Sequence, residues 1–278
     1  VITMPNNKTA NVLNQIEKHY ALLSPAGKRI AQYLQQTPLA VISQSTAQIA
    51  EKTQTSKATV SRFFRQLGFD SHQQAKDTLL SLREQGVPVN THTSFSHHQE
   101  HEFSNLTQTF AGIHEDTLLD IAERLAKAKQ ITLIGFRNAY PLALHFRQQL
   151  KQIRTSVRLL PQPGQTLGED IVDLGDDDVV ILFGFRRRTR QFKYVLSAIK
   201  HAQVILITDP TGQIYRNQVS KLVVCHLGND APFDSYAAPM SLLSAICNRT
   251  YSLLGDAATE RVNSITETYA SLDELERK

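Results

Sequence analysis

The chain has 278 residues, 41% hydrophobic and 20% charged, an ordinary globular composition with enough length for two domains and a sizeable core. Its net charge of +4 is uneven, residues 1–86 holding 10 Lys or Arg against 5 Asp or Glu and the remainder 20 against 21. The two cysteines, Cys225 and Cys247, lie in apolar runs without CxxC spacing, no run reaches the ~20 apolar residues of a membrane span, and the start VITMPNNKTAN lacks the apolar core of a signal peptide; a disulfide framework, a zinc site and a membrane anchor are all disfavoured, and the expectation is a cytoplasmic protein.

Residues 12–23, VLNQIEKHYALL, have helical periodicity, and Ser24-Pro25 then offers an N-cap followed by Pro at the first helical position. The second helix should run to about Gln36, with Ile30, Ala31 and Leu34 facing inward and Pro38 breaking the chain before Leu39–Ile42. The stretch Thr46–Phe69, TAQIAEKTQTSKATVSRFFRQLGF, reads as two short helices about a tight turn, a helix-turn-helix. Ala47, Ile49 and Ala50 give the first helix an inner face; after the break at Thr53–Thr55, Val60, Phe63, Phe64 and Leu67 recur at helical spacing and Gly68 ends the run. No Gly stands in the turn, so Gln54 must either take up a left-handed conformation itself or belong to a different turn. Ser71-His72 then opens an amphipathic helix, AKDTLLSLREQG, closing at Gly86, for about five helices in a domain over residues 1–86.

Ser56 is placed to cap the second helix, whose apolar stripe leaves Lys57, Ala58, Ser61, Arg62 and Arg65 outside. With Thr46, Thr55, Ser56 and Thr59 near the two helix starts, these form a candidate face for reading double-stranded DNA. Arg and Lys pair with guanine edges or phosphates, Ser and Thr bond to either, and an alanine methyl touches thymine. A Ser-capped basic helix also arises in ordinary bundles, and a basic surplus suits phosphate without proving contact with it.

From Val87 to Asn105 the sequence VPVNTHTSFSHHQEHEFSN is polar and aperiodic, which reads as an exposed linker over 87–105. His92, His97, His98 and His101 fall here without a carboxylate or Cys framework, so no metal or cofactor is assigned. Leu106–Lys129 returns to helix on the stripe Ile113, Leu118, Leu119, Ile121, Ala122 and Leu125, opening a second domain over 106–278.

Beyond Gln130, short apolar runs alternate with helical stretches, the grammar of buried parallel strands joined by crossover helices. The strands are expected at ITLIG (131–135), Val157–Leu160, 179–183, 204–208 and Leu222–Cys225, and the helices at Pro141–Gln152, Thr166–Leu174, Gln191–His201, Gly212–Val219 and Tyr236–Leu254. Ligands of such sheets bind beyond the carboxyl ends of the strands, which directs attention to the loops after Ile134 and Phe183. The first, GFRNAY, supplies Gly135, Arg137 and Asn138; the second, GFRRRTRQ, supplies Gly184, Arg186, Arg187, Arg188, Thr189 and Arg190. Guanidinium groups beside helix starts suit a phosphate or carboxylate. The alternative is that some of them pair with acids on a neighbouring subunit, Glu169, Asp170, Asp234 and Asp176–Asp178 being available, or simply face water.

In this order of parts the chain resembles the RpiR family of bacterial transcriptional regulators, whose C-terminal half is a sugar isomerase (SIS) domain. The resemblance runs from about Leu22 to Leu254 and is carried in the first domain by Ala50, Ser56, Thr59-Val60, Arg62-Phe63 and Leu67-Gly68-Phe69. It implies a multidomain fold: an all-α helix-turn-helix domain followed by an α/β SIS-type sandwich with a parallel sheet. It also implies a phosphosugar effector. The ligand loops depart from the family pattern: Arg137 and Ala139 stand where its first loop has a second Gly and a Ser, and its Ser-x-Ser-Gly-x-Thr loop becomes Gly184, Arg186, Arg187 and Thr189. A carboxylate metabolite is therefore equally open.

These features together lead to the expectation of a regulator that binds an operator as a homodimer, with tetramers open, and is modulated by a small anionic metabolite. One competing reading is a sugar-phosphate isomerase with an accessory helical domain, its acid/base residue drawn from Glu169, His145 or His226. Another is an effector-independent DNA-binding oligomer.

Overall fold

The computed structural model describes residues 12–38, 40–84, 95–228 and 233–276. They form two compact units that part between His97 and His98.

The first unit comprises α1 (Val12–His19), a 3-10 turn (Tyr20–Leu22), α2 (Pro25–Gln36), α3 (Ala40–Ser43), α4 (Thr46–Lys52), α5 (Lys57–Gln66) and α6 (His72–Glu84). The expected count of about five helices omitted α3, a single turn after Pro38; Leu39, Gly86 and His92 lie outside the described residues. Serines start four of these helices: Ser24 accepts the Gly27 N–H at 3.1 Å, Ser45 forms a reciprocal capping box with Gln48, and Ser56 and Ser71 accept the Thr59 and Gln74 N–H groups at 3.1 Å each. Ile16, Ile30, Leu34, Ile49, Phe63, Phe64, Leu67 and Leu79 are fully buried in one core. Each is worth roughly 1.5–3 kcal/mol on burial. Phe63 and Phe64 meet edge to face at 5.4 Å, and the His72 ring lies 5.0 Å from Phe64, where burial pushes its pKa down.

The second unit begins within α7 (Phe95–Ala111), at His98, and continues with α8 (Glu115–Lys127). It continues through β1 (Ile131–Ile134), α9 (Ala139–Ile153), β2 (Val157–Leu160), α10 (Gly168–Ile171), β3 (Val179–Gly184), α11 (Phe192–Ala198), β4 (Gln203–Thr208), a 3-10 segment (Pro210–Gln218), β5 (Lys221–Val224), α12 (Ala237–Leu254) and α13 (Asp256–Leu272). The strands form one parallel sheet in the order β2-β1-β3-β4-β5, in register from Ile131 opposite Val157 and Val179. Alternate residues serve opposite faces. Leu133, Ile181, Phe183 and Ile205 pack on α8, α9 and α12, while Ile134, Val180, Leu182 and Leu206 pack on α11. The chain order reverses at β1 and β3, so their carboxyl ends flank a switch-point crevice. Among the described residues no helix is long and apolar enough to cross a membrane.

Five sequence expectations need correction here. The stretch read as linker is helical from Phe95, because α7 turns a polar face inward. Thr109 and Asn105 are buried on it, Thr109 Oγ1 accepting the His226 N–H at 2.8 Å and Asn105 Nδ2 donating to the Gly228 carbonyl at 3.3 Å, whereas Phe103 and Phe110 are exposed. The helix expected over Leu106–Lys129 is two, interrupted at Gly112–His114. Between Thr166 and Leu174 only Gly168–Ile171 is α-helical, and the stretch from Gly212 belongs to the 3-10 segment. Finally, α13 was not expected: Ala258 is its one buried residue, so it carries no apolar stripe.

Candidate functional site

In the first unit the turn between α4 and α5 is fixed by its own polar groups. Thr53 is buried, its hydroxyl donating to the Ile49 carbonyl at 2.7 Å and meeting Thr55 Oγ1 at 2.9 Å, while the Thr55 N–H reaches the Ala50 carbonyl at 2.8 Å. Gln54 takes the left-handed conformation directly, with φ 50°. Arg29 of α2, which sequence reasoning missed, secures this strained point by donating from Nε to the Thr53 carbonyl at 3.3 Å and from Nη2 to the Gln54 carbonyl at 3.4 Å. The contact spans more than twenty residues of sequence, and no local pattern announces it.

Val60, Phe63 and Phe64 turn α5 inward, which leaves Ser56, Lys57, Ala58, Arg62 and Arg65 exposed and Thr55, Thr59 and Ser61 half-buried along its start and flank. Thr46, at the first position of α4, is half-buried. Ser56 Oγ and Thr59 Oγ1 lie 2.8 Å apart, and Arg62 Nε reaches the Ala58 carbonyl at 3.5 Å. Exposed cations on a capped helix behind a rigid turn are what a major groove and its phosphates require.

In the second unit, Gly135 and Gly184 end β1 and β3 where no side chain fits. A Cβ on Gly135 would stand 2.6 Å from the Ala139 carbonyl oxygen, and one on Gly184 would stand 2.6 Å from the Phe192 ring. Two residues beyond Gly135 and three beyond Gly184, Arg137 and Arg187 hold left-handed backbones, φ 56° and 63°. An L-residue there costs roughly 1–2 kcal/mol. Arg137 Nη1 crosses between the loops and donates to the Arg187 carbonyl at 3.2 Å. Asn138 and both of these arginines are exposed, and Arg186 is half-buried. The first N–H groups of α9 are turned back on its own loop, Ala139 to the Phe136 carbonyl and Tyr140 to the Arg137 carbonyl, so these two are not available to an anion.

Arg188 behaves differently. Its guanidinium donates to Thr211 Oγ1 at 3.0 Å, Thr208 Oγ1 at 2.8 Å and Asp209 Oδ1 at 3.0 Å, and lies 5.6 Å from the centroids of both the Phe192 and Tyr215 rings. Asp209, absent from the acids considered as partners, is the one it uses. Thr189 Oγ1 is buried with no hydrogen-bond partner among the described residues.

The residues considered for isomerase chemistry show no such preparation. Glu169 is fully exposed, and the hydroxyl of Thr166, 2.7 Å from its carboxylate, holds its pKa below the ordinary value, opposite to the rise that a base working near neutrality needs. His145 is exposed on α9, and the backbone N–H of His226 is engaged with Thr109. Burial pushes the Cys225 and Cys247 thiols up to about 12, so neither is a ready nucleophile. Among the described residues no group of three or more His, Cys, Asp or Glu is placed to hold a metal.

A capped basic helix-turn-helix joined in one chain to a five-stranded parallel sheet defines the class: a helix-turn-helix regulator with a second, α/β domain. Residues 10–81 match the family model described as a helix-turn-helix domain of the rpiR family, and residues 124–249 match that of the SIS domain. The chain belongs to the RpiR family of transcriptional regulators. No curated protein matches its sequence. Among solved structures it is similar to the NanR protein of Vibrio vulnificus complexed with ManNAc-6P, at 17% identity and a TM-score of 0.57, covering 94% of this chain and 99% of that one. It is also similar to the sugar isomerase domain of an RpiR transcription factor from Sphaerobacter thermophilus, at 14% identity and a TM-score of 0.55, covering 59% of this chain and 93% of that one. At these identities the likeness speaks for the fold.

Proposed function

We propose that the protein is a sequence-specific regulator that grips its operator through α5 and the start of α4, and that a small anionic metabolite bound at the β1 and β3 loops modulates this grip. The observation that carries the reading is the presence in one chain of exposed Lys57, Arg62 and Arg65 on a capped helix and of Arg137 and Arg187 held in left-handed loops at the switch point. Strain kept at two facing loops is a mark of a working site. The NanR structure contains a phosphosugar. Here Arg137 and Arg187 stand where the family pattern has Gly, and Arg186 where it has a Ser, so the effector class is a phosphosugar or a carboxylate metabolite. Acting as a homodimer, the protein presents two reading helices about 34 Å apart, one turn of DNA, and an effector that favours one subunit arrangement changes operator affinity.

The test is fluorescence anisotropy of the full chain on DNA from upstream of its own gene, with and without hexose phosphates and carboxylate metabolites. Salt-dependent, sequence-selective binding that shifts with one of them is the expected result. Equal affinity for scrambled DNA removes the operator reading, and an unshifted curve across the panel removes the effector reading.

A further inference from the structure

We infer that the effector carries two separate anionic groups, the second seated in a cleft on the outer side of the β3–α11 loop; the inference rests on the small-anion reading above. The cleft has a volume of about 510 Å³, within the range of small-molecule sites, and no acidic residue lines it. Arg190 and Lys193, both exposed, form its charged wall, and neither makes an ion pair among the described residues. Lys193 Nζ rests 4.9 Å from the centroid of the Tyr194 ring, which with Tyr215 supplies the aromatic part of the lining. Arg188 and Thr189 also line it.

Two details point to an anion. The charge of Arg188 is already answered by Asp209, yet its Nε is buried with no partner, as is Thr189 Oγ1. Open polar atoms of this kind mark places where a water or an ion completes the bonding. Secondly, Arg137 and Arg187 do not line the cleft, so its cations form a second set beside theirs. Arg187 and Arg190 are three positions apart in the chain, so their Cα atoms lie at most roughly 10 Å apart. A six-carbon chain with an anionic group at each end spans a comparable distance. The class this fits is a hexose bisphosphate or a phosphorylated sugar acid, with one end at Arg137 and Arg187 and the other at Arg190 and Lys193.

Isothermal titration of the full chain at about 0.15 M salt, where exposed charges beyond roughly 8 Å are screened, separates the possibilities. The probes are fructose 6-phosphate, fructose 1,6-bisphosphate and 6-phosphogluconate. At least one of the two-headed probes should bind about tenfold or more tighter than fructose 6-phosphate. The double substitution Arg190→Ala/Lys193→Ala should erase that advantage without changing monophosphate affinity, and Lys200→Ala, an exposed cation outside the cleft, should leave it intact. Equal affinity for one- and two-headed probes, survival of the advantage in the double variant, or its equal loss in Lys200→Ala overturns the inference while leaving a monophosphate site standing. If none of the three probes binds, the small-anion reading falls and this one with it.

Discussion

Arg188→Met separates support from recognition in the arginine-rich loop. The Arg188 and Asp209 side chains are 14% and 6% exposed, so the substitution leaves a buried carboxylate without its cation, an event that costs about 3–5 kcal/mol. Asp209 keeps the Thr211 hydroxyl, at 3.1 and 2.9 Å from its two oxygens, and the Thr211 N–H at 3.4 Å, which places the loss near the lower end. Methionine preserves apolar contact with Phe192 and Tyr215 but forfeits the cation–π attraction, about 1 kcal/mol. The sum is a loss of about 3–4 kcal/mol, or roughly 10 °C in melting temperature for a unit of this size. Urea and thermal unfolding of the full chain measure it. Adding Asp209→Asn removes the stranded charge and should recover most of the loss. A loss under about 1 kcal/mol, or a double variant no more stable than the single one, would refute the claim that Arg188 holds the loop.

Three further outcomes follow from the first unit. Arg62→Ala should weaken operator binding by about 1–3 kcal/mol if the guanidinium reads a base, and should weaken operator and scrambled DNA alike if it touches phosphate, which anisotropy on both sequences distinguishes. Gln54→Gly relieves the left-handed strain while keeping both backbone hydrogen bonds, so it should stabilise the unit by about 0.5–1 kcal/mol in urea unfolding; a loss of stability would mean that the Gln54 side chain contributes more than its backbone costs. Burial keeps the folded pKa of His72 below its ordinary 6.5, so the unfolded chain takes up the proton first. Its contribution is intact above about pH 6.5 and declines as pH falls towards the lower folded value; unfolding midpoints at pH 7.5 and 5.5 should differ less in His72→Phe than in the parent.

What the sequence disclosed is what short-range rules govern. Serine caps, the apolar stripe of α5 and the continuous runs of buried strands are local, and each appears in the structure within a residue or two of its expected place. The misreadings share the opposite property. α7 was obscured because Glu102, Asn105 and Thr109 make up its inner face and are satisfied by Ser235, Gly228 and His226, over a hundred residues away. Arg29 on the turn and Asp209 under Arg188 are likewise pairings that only the folded chain brings together. Gln54 was identified as the residue facing the left-handed conformation, but nothing in the sequence said which way it would resolve; nor did anything indicate that Arg137 and Arg187 would retain that conformation in the loops after β1 and β3.

Those two arginines bear on any effort to make the protein hardier. A library screened for heat resistance alone should enrich glycine at positions 137 and 187, since glycine visits φ values near +60° without penalty. The survivors of such a screen would be tougher and, if the two guanidinium groups hold the effector as proposed, deaf to it.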